Sequence, residues 1–138
     1  MEIILWRHAD AEPGADDLAR RLTRRGEQEA AAMAQWLRGR LPAAYTLLAS
    51  PAVRAQQTAA ALQPPVTDKS LAPGASVAAI RKAAEKHNGL VIIVGHQPDL
   101  GRAAAQFAGA PGEWHVEKGA IVWLTGPRLR AWLSPDLL

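Results

Sequence analysis

Arg7 and His8 follow directly on an apolar run, Ile3-Ile4-Leu5-Trp6, and His96 follows a second run of the same shape, Val91-Ile92-Ile93-Val94-Gly95. Between them, Arg54 stands just past the dipeptide Ser50-Pro51. If these four side chains meet, they make one chemistry available. Guanidinium forks match the oxygens of a phosphoryl group bidentately, and a neutral imidazole can attack phosphorus. Such a set transfers a phosphoryl group without a metal. The chain contains no cysteine, which removes thiolate nucleophiles, thiolate metal ligands and any disulfide framework.

For the four residues to converge, they must sit at the ends of neighbouring elements. The runs before His8 and His96 are continuously apolar and β-prone, as suits strands covered on both faces in a parallel sheet. Ala9 to Asp17, with Pro13 and Gly14, read as a loop. Thr23 reads as the N-cap of a helix with Glu27 and Glu29 near its positive end; Ala30, Met33, Ala34, Leu37 and Leu41 form its apolar face, and Pro42 ends it. Tyr45–Ala49 is a strand candidate. Ser50-Pro51 then reads as a helix start, a capping hydroxyl followed by proline at the first helical position. In that helix Ala52, Ala55, Ala59 and Leu62 make the buried stripe, and Arg54 lies off it with Thr58 and Ala61, able to reach over the first turn, where free N–H groups favour an anion.

Further on, Val66-Thr67 is a short edge strand, and Leu71 to Gly74 form a loop. Ser76 caps a helix to about Lys86 that Gly89 terminates. Leu90–Val94 is a strand, Gly95 to Pro98 turn into a helix ending near Ala108, and Ala120–Leu124 and Arg130–Leu133 are late strands around Thr125-Gly126-Pro127. This alternation predicts an α/β fold. In open α/β sheets ligands bind beyond the carboxyl ends of the strands, and three βα junctions place Arg7 with His8, Arg54, and His96 at that edge.

The 138 residues suit one domain spanning 1–138, and 49% hydrophobic with 21% charged residues is ordinary for a globular chain. No stretch approaches a membrane span, and Glu2, Arg7 and His8 stand where a signal peptide would be apolar, so a cytoplasmic protein is expected. The net charge of +3 is mild. Its local clusters Arg20-Arg21 and Arg24-Arg25 read as a solvated face; no aromatic stacking platform accompanies them, which argues against nucleic acid. His87 and His115 read as surface residues. The tryptophans mostly favour the core, Trp6, Trp123 and Trp132 sitting in strand candidates and Trp36 beside a buried stripe, whereas Trp114 falls in the polar loop 111–118, where it either edges the pocket or simply packs.

These residues carry a family resemblance. Arg7-His8-Ala9 resembles the Arg-His-Gly signature of the histidine phosphatase superfamily. Leu22-Thr23-x-x-Gly26, then Ser50-Pro51-x-x-Arg54-Ala55-x-x-Thr58-Ala59, then Val94-Gly95-His96-Gln97-Pro98 resemble its later motifs, in the family's order. The short length and Leu71-Ala72-Pro73-Gly74 resemble in particular the small phosphohistidine phosphatases similar to SixA. The resemblance implies a phosphoglycerate mutase-like, three-layer α/β/α sandwich with a mostly parallel sheet of about six strands, those bearing Arg54, His96 and His8 lying side by side. It implies no cofactor, His8 as a transiently phosphorylated nucleophile, and Arg7, Arg54 and His96 as phosphate-binding residues that stabilise charge in the transition state. Ala9 replaces the usual glycine without removing a functional group, and Glu29 stands where many relatives have glutamine.

Many relatives place a glutamate acid in a segment that corresponds here to Ser70–Ser76, which holds no carboxylate. Asp10, Glu12 and Asp99 lie near the motifs and serve equally well as loop or cap carboxylates. A general acid contributes about 10²–10⁴-fold, so its loss penalises expulsion of an alkoxide. Protonated phosphohistidine instead expels neutral imidazole, whose conjugate acid has a pKa of about 6.5. The expected partner is therefore phosphate or a phosphorylated substrate, in particular a phosphohistidine-containing signalling domain. The rivals are a small-molecule phosphomonoesterase using Asp10, Glu12 or Asp99 as acid, and a non-catalytic phosphate-binding module. Lys118 adds positive charge, with nothing in the sequence to place it at the site.

Overall fold

The computed structural model describes residues 1–138. Its elements in order are β1 (Glu2–Arg7), α1 (Arg24–Arg38), β2 (Thr46–Ala49), α2 (Val53–Ala60), β3 (Val66–Thr67), α3 (Val77–Glu85), β4 (Leu90–Gly95), α4 (Asp99–Phe107), β5 (Ile121–Thr125) and β6 (Arg128–Leu133). The six strands form one sheet in the order β3-β2-β4-β1-β5-β6. The first four run parallel, and β5 and β6 are antiparallel additions at one side.

Because β1 and β4 are central, both of their faces are buried, and successive side chains feed two separate cores. Ile3, Leu5, Val91 and Ile93 pack with Ile80, Ala83, Leu100 and Phe107 of α3 and α4. On the opposite face, Ile4, Trp6, Ile92 and Val94 pack with Met33, Leu37, Ala55 and Ala59 of α1 and α2. The result is the expected α/β/α sandwich, with Arg54, His96 and His8 issuing from the adjacent β2, β4 and β1. No helix is long and apolar enough to cross a membrane.

Local chemistry sets the boundaries. Thr23 caps α1 by accepting from Gly26 N at 2.9 Å, and Ser76 caps α3 by accepting from Ala79 N at 3.0 Å. Gly89 follows α3 with φ +74°, a conformation that favours glycine.

Three expectations change. Helix α1 ends at Arg38, with Gly39 as its C-cap, rather than at Pro42, because Arg40 N and Leu41 N both turn back to Leu37 O. The second helix starts at Val53, not Pro51: Ser50 continues the strand ladder, its N–H donating to Val94 O at 3.0 Å, and Ala52 is the N-cap. Trp132 is 42% exposed, because β6 is an edge strand with one uncovered face; there it stacks on Trp114 with ring centroids 4.9 Å apart.

Candidate active site

Strand register brings the two histidines together. Ala49 and Trp6 both pair with Val94, so β2, β4 and β1 reach the same rung in parallel. His96 and His8 each lie two residues past that rung, and the ladder continues as His8 N donates to Gly95 O at 3.0 Å. The ring centroids stand 5.3 Å apart, tilted by 53°.

Arg54 enters from the first turn of α2 and lies between them. Its Nε donates to His8 Nε2 at 3.4 Å, and its Nη2 to His96 Nδ1 at 3.3 Å. Off the apolar stripe, Arg54 and Thr58 are nonetheless buried, because the chain beyond β1 folds over that face. Thr58 Oγ1 accepts from Ala9 N at 3.0 Å and donates to Arg54 O at 2.8 Å. One hydroxyl thus pins the residue after His8 to the helix turn that carries Arg54.

Hydrogen bonding fixes both tautomers. His8 Nδ1 lies 2.8 Å from Ala9 O, which can only accept, so the proton sits on Nδ1 and the lone pair on Nε2 faces Arg54. His96 has the opposite arrangement: Nδ1 accepts from Arg54, and Nε2 donates to Ser50 Oγ at 2.7 Å. Burial lowers the His8 pKa to about 4, opposed by the Ala9 hydrogen bond and reinforced by Arg54 and Arg7. Burial also lowers His96 to about 3, reinforced by His8 and Arg54. Both rings are therefore neutral near pH 7.

Arg7 is half-buried; its Nη1 donates to Val116 O at 3.0 Å, while its Nε is buried without a partner. Burial lowers the Arg7 pKa, and Glu117 acts against the shift. Arg7, His8, Arg54 and His96 line one cleft of about 450 Å³, whose rim carries Arg20, Arg102 and Lys118. No group of three or more His, Asp or Glu side chains there or elsewhere is arranged to hold a metal ion.

Of the nearby carboxylates, Asp99, Asp10 and Glu29 are engaged, whereas the exposed Glu12 side chain has no partner. Asp99 is buried, its Oδ2 accepting from Gly74 N at 2.9 Å and Ala75 N at 3.1 Å, which ties the loop after β3 to α4. Asp10 accepts from Thr23 Oγ1 at 2.8 Å and pairs with Lys118 Nζ at 3.0 Å, and these contacts hold its pKa below the ordinary value. Lys118 thus reaches the site rim through Asp10. Glu29 accepts from Asp10 N at 3.0 Å and so supports the same segment. Glu12 is exposed, as are His87 and His115. Trp114 lies outside the cleft lining and packs against the α3/α4 core.

Two residues have roles at the site that the sequence does not assign. Ser50, read as a helix cap, instead orients His96 and accepts from Ala52 N. Asp17, read as the end of a loop, pairs with Arg54 Nη2 at 3.2 Å. The spacing Asp17-x-x-Arg20 was a local signal, since that pair forms a 3.1 Å ion pair.

Comparison with known proteins bears on the fold and the family. The chain is 34% identical to an uncharacterized protein of Picosynechococcus over 99% of its length and 92% of the relative's. Among solved structures, the protein histidine phosphatase SixA complexed with tungstate matches with a TM-score of 0.86 and 25% identity, covering 99% of both chains. A protein assigned as phosphohistidine phosphatase SixA from Nakamurella multipartitia matches with a TM-score of 0.82 and 27% identity, covering 97% of this chain and 95% of that one. The family model of the histidine phosphatase superfamily (branch 1) matches residues 3–72, half of the chain, and the chain belongs to that superfamily.

Proposed function

We propose that this protein is a cytoplasmic, metal-independent phosphohistidine phosphatase that works through a phosphorylated His8 and acts on a phosphohistidine-bearing signalling protein. The observation that carries the reading is the His8 tautomer. Its Nδ1–H is bound to Ala9 O, and the Nε2 lone pair faces the point where Arg54 and His96 converge.

In the first step, a bond forms from His8 Nε2 to phosphorus as the P–N bond of a protonated phosphohistidine breaks. The leaving imidazole departs neutral, and no acid has to protonate it. Arg7 and Arg54 hold the phosphoryl oxygens and offset the charge that spreads onto them. In the second step, water attacks phosphorus and the N–P bond breaks. Phosphate keeps one water proton, the other passes to solvent, and His8 returns to its neutral form.

The engaged carboxylates support this substrate class. Asp10 and Asp17 have lowered pKa values, and Asp99 is occupied by two backbone N–H groups, so none of them is set up to hand a proton to an alkoxide. At the rim, Arg102 pairs with Glu113 and Lys118 with Asp10, and these exposed pairs can be exchanged for contacts to a phosphorylated protein surface. A side-by-side assay of a phosphohistidine protein and a panel of alkyl phosphates tests the reading. Phosphohistidine should turn over faster, acid quenching should trap phospho-His8, and His8→Ala should abolish turnover. Faster alkyl hydrolysis would establish the phosphomonoesterase instead, and phosphate binding with no covalent intermediate would establish a non-catalytic module.

A further inference from the structure

The chain between β1 and α1 makes an excursion whose base is pinned and whose tip is not. At the base, Ala11 bridges Leu22, and Glu12 N donates to Arg21 O at 2.8 Å. The tip is a single 3-10 turn, Asp17–Ala19, with no buried residue. What holds the tip over the cleft is Arg54: Nη1 donates to Asp17 O at 2.6 Å, and Nη2 to Asp17 Oδ2 at 3.2 Å. Arg20 closes the group, its Nη1 donating to Asp17 Oδ1 at 3.1 Å and its Nε to Glu12 O at 2.8 Å. Hydrogen bonds from Arg20 and then Arg54 hold the Asp17 carboxyl below its ordinary pKa, so it is an anion at neutral pH.

A guanidinium has five N–H donors. In Arg54 one goes to His8, one to His96, and one from each terminal nitrogen to Asp17. A phosphoryl group that is to be held by the Arg54 fork needs those terminal N–H groups, and it meets the Asp17 carboxylate on Nη2 and the Asp17 backbone carbonyl on Nη1. Two anions on one fork repel each other, and the phosphoryl group, with the larger charge, has Arg7 as a second ligand. Asp17 is half-exposed on a turn with no apolar anchor, whereas Arg54 is 4% exposed and held by its helix. The carboxylate is the partner free to leave.

We infer that Asp17 is a displaceable counter-anion: it holds Arg54 and gives way, with its turn, when a phosphoryl group binds. The competition weakens the grip on product phosphate and so favours its release. Asp17 acts through Arg54 and is a positioning residue. The inference rests on the phosphate-site reading above but not on the identity of the phosphorylated substrate.

Calorimetric titration with inorganic phosphate of the wild type, Asp17→Asn and Asp17→Glu tests it. Asp17→Asn should bind phosphate about five- to tenfold more tightly, with correspondingly stronger product inhibition, while Asp17→Glu keeps the charge and stays near wild type. Linkage supplies a second readout. Without phosphate, Asp17→Asn should unfold at lower urea than wild type, and at saturating phosphate the gap should close. A purely structural role would lower stability equally in both conditions and leave affinity unchanged, which overturns the inference. Weaker phosphate binding in Asp17→Asn also overturns it, since Asp17 would then be aligning Arg54 for the ligand. If the wild type itself binds no phosphate, the phosphate-site reading fails and takes the inference with it.

Discussion

At the scale of single residues, the site is built from hydrogen bonds that leave each side chain one available direction. Ala9 O and Ser50 Oγ fix which nitrogen of each histidine carries the proton, and Thr58 fixes the height of the loop that carries His8. Thr58→Val keeps the shape but leaves the buried Ala9 N–H without an acceptor, at a cost of about 1–3 kcal/mol. Because the shift acts directly beside His8, the proposed nucleophile, turnover should drop by about 10- to 100-fold. Thr58→Ser should retain most of both. Urea unfolding and steady-state rates on a phosphohistidine protein check the pair.

At the scale of elements, the decisive contacts are between backbones that lie too close for any side chain. A Cβ on Gly26, in the first turn of α1, would stand 2.0 Å from Asp10 O, within the segment that leaves His8. In a free helix alanine outranks glycine by about 1 kcal/mol. Here the clash is with backbone and decides the sign: Gly26→Ala should destabilise by about 2–3 kcal/mol net and lower activity by pushing the Asp10 segment out of place. Gly101 in α4 has the same relation to the loop 111–118, its Cβ falling 1.8 Å from Trp114 O, so Gly101→Ala should be similarly destabilising. Urea midpoints measure both, and unchanged midpoints would contradict the close packing.

At the scale of the whole molecule, two buried neutral histidines tie stability to pH. The rings titrate at about 4 and about 3 in the fold, against an ordinary value of 6.5. Below 6.5 the unfolded chain takes up protons that the fold refuses, so stability is full above that pH and declines as pH falls towards about 4. The limiting slope is about 1.4 kcal/mol per pH unit for each ring. His96→Gln should roughly halve the slope between about pH 4.5 and 5.5, as read from urea midpoints across that range. Inorganic phosphate should oppose the loss, since a bound anion favours the protonated rings and stabilises the fold by mass action.

Most of the elements, and Arg7, His8, Arg54 and His96 among the residues that line the cleft, are legible in the sequence. Continuous apolar runs, capping hydroxyls and terminating glycines are local signals, and strands that stop at Arg7-His8 and Gly95-His96 reveal a shared edge through the rules of parallel sheets. Only the tertiary structure decided the contacts between residues far apart in the chain. Ser50 reads as a helix cap because that is the usual local use of Ser-Pro, yet its hydroxyl is claimed by a histidine 46 positions away. Asp17 reads as loop because its partner, Arg54, is 37 positions off. The place of β4 between β2 and β1 was implied by the family resemblance and not by the strands themselves, because a strand's neighbour in a parallel sheet is chosen by packing of whole layers and leaves no mark in the strand's own residues.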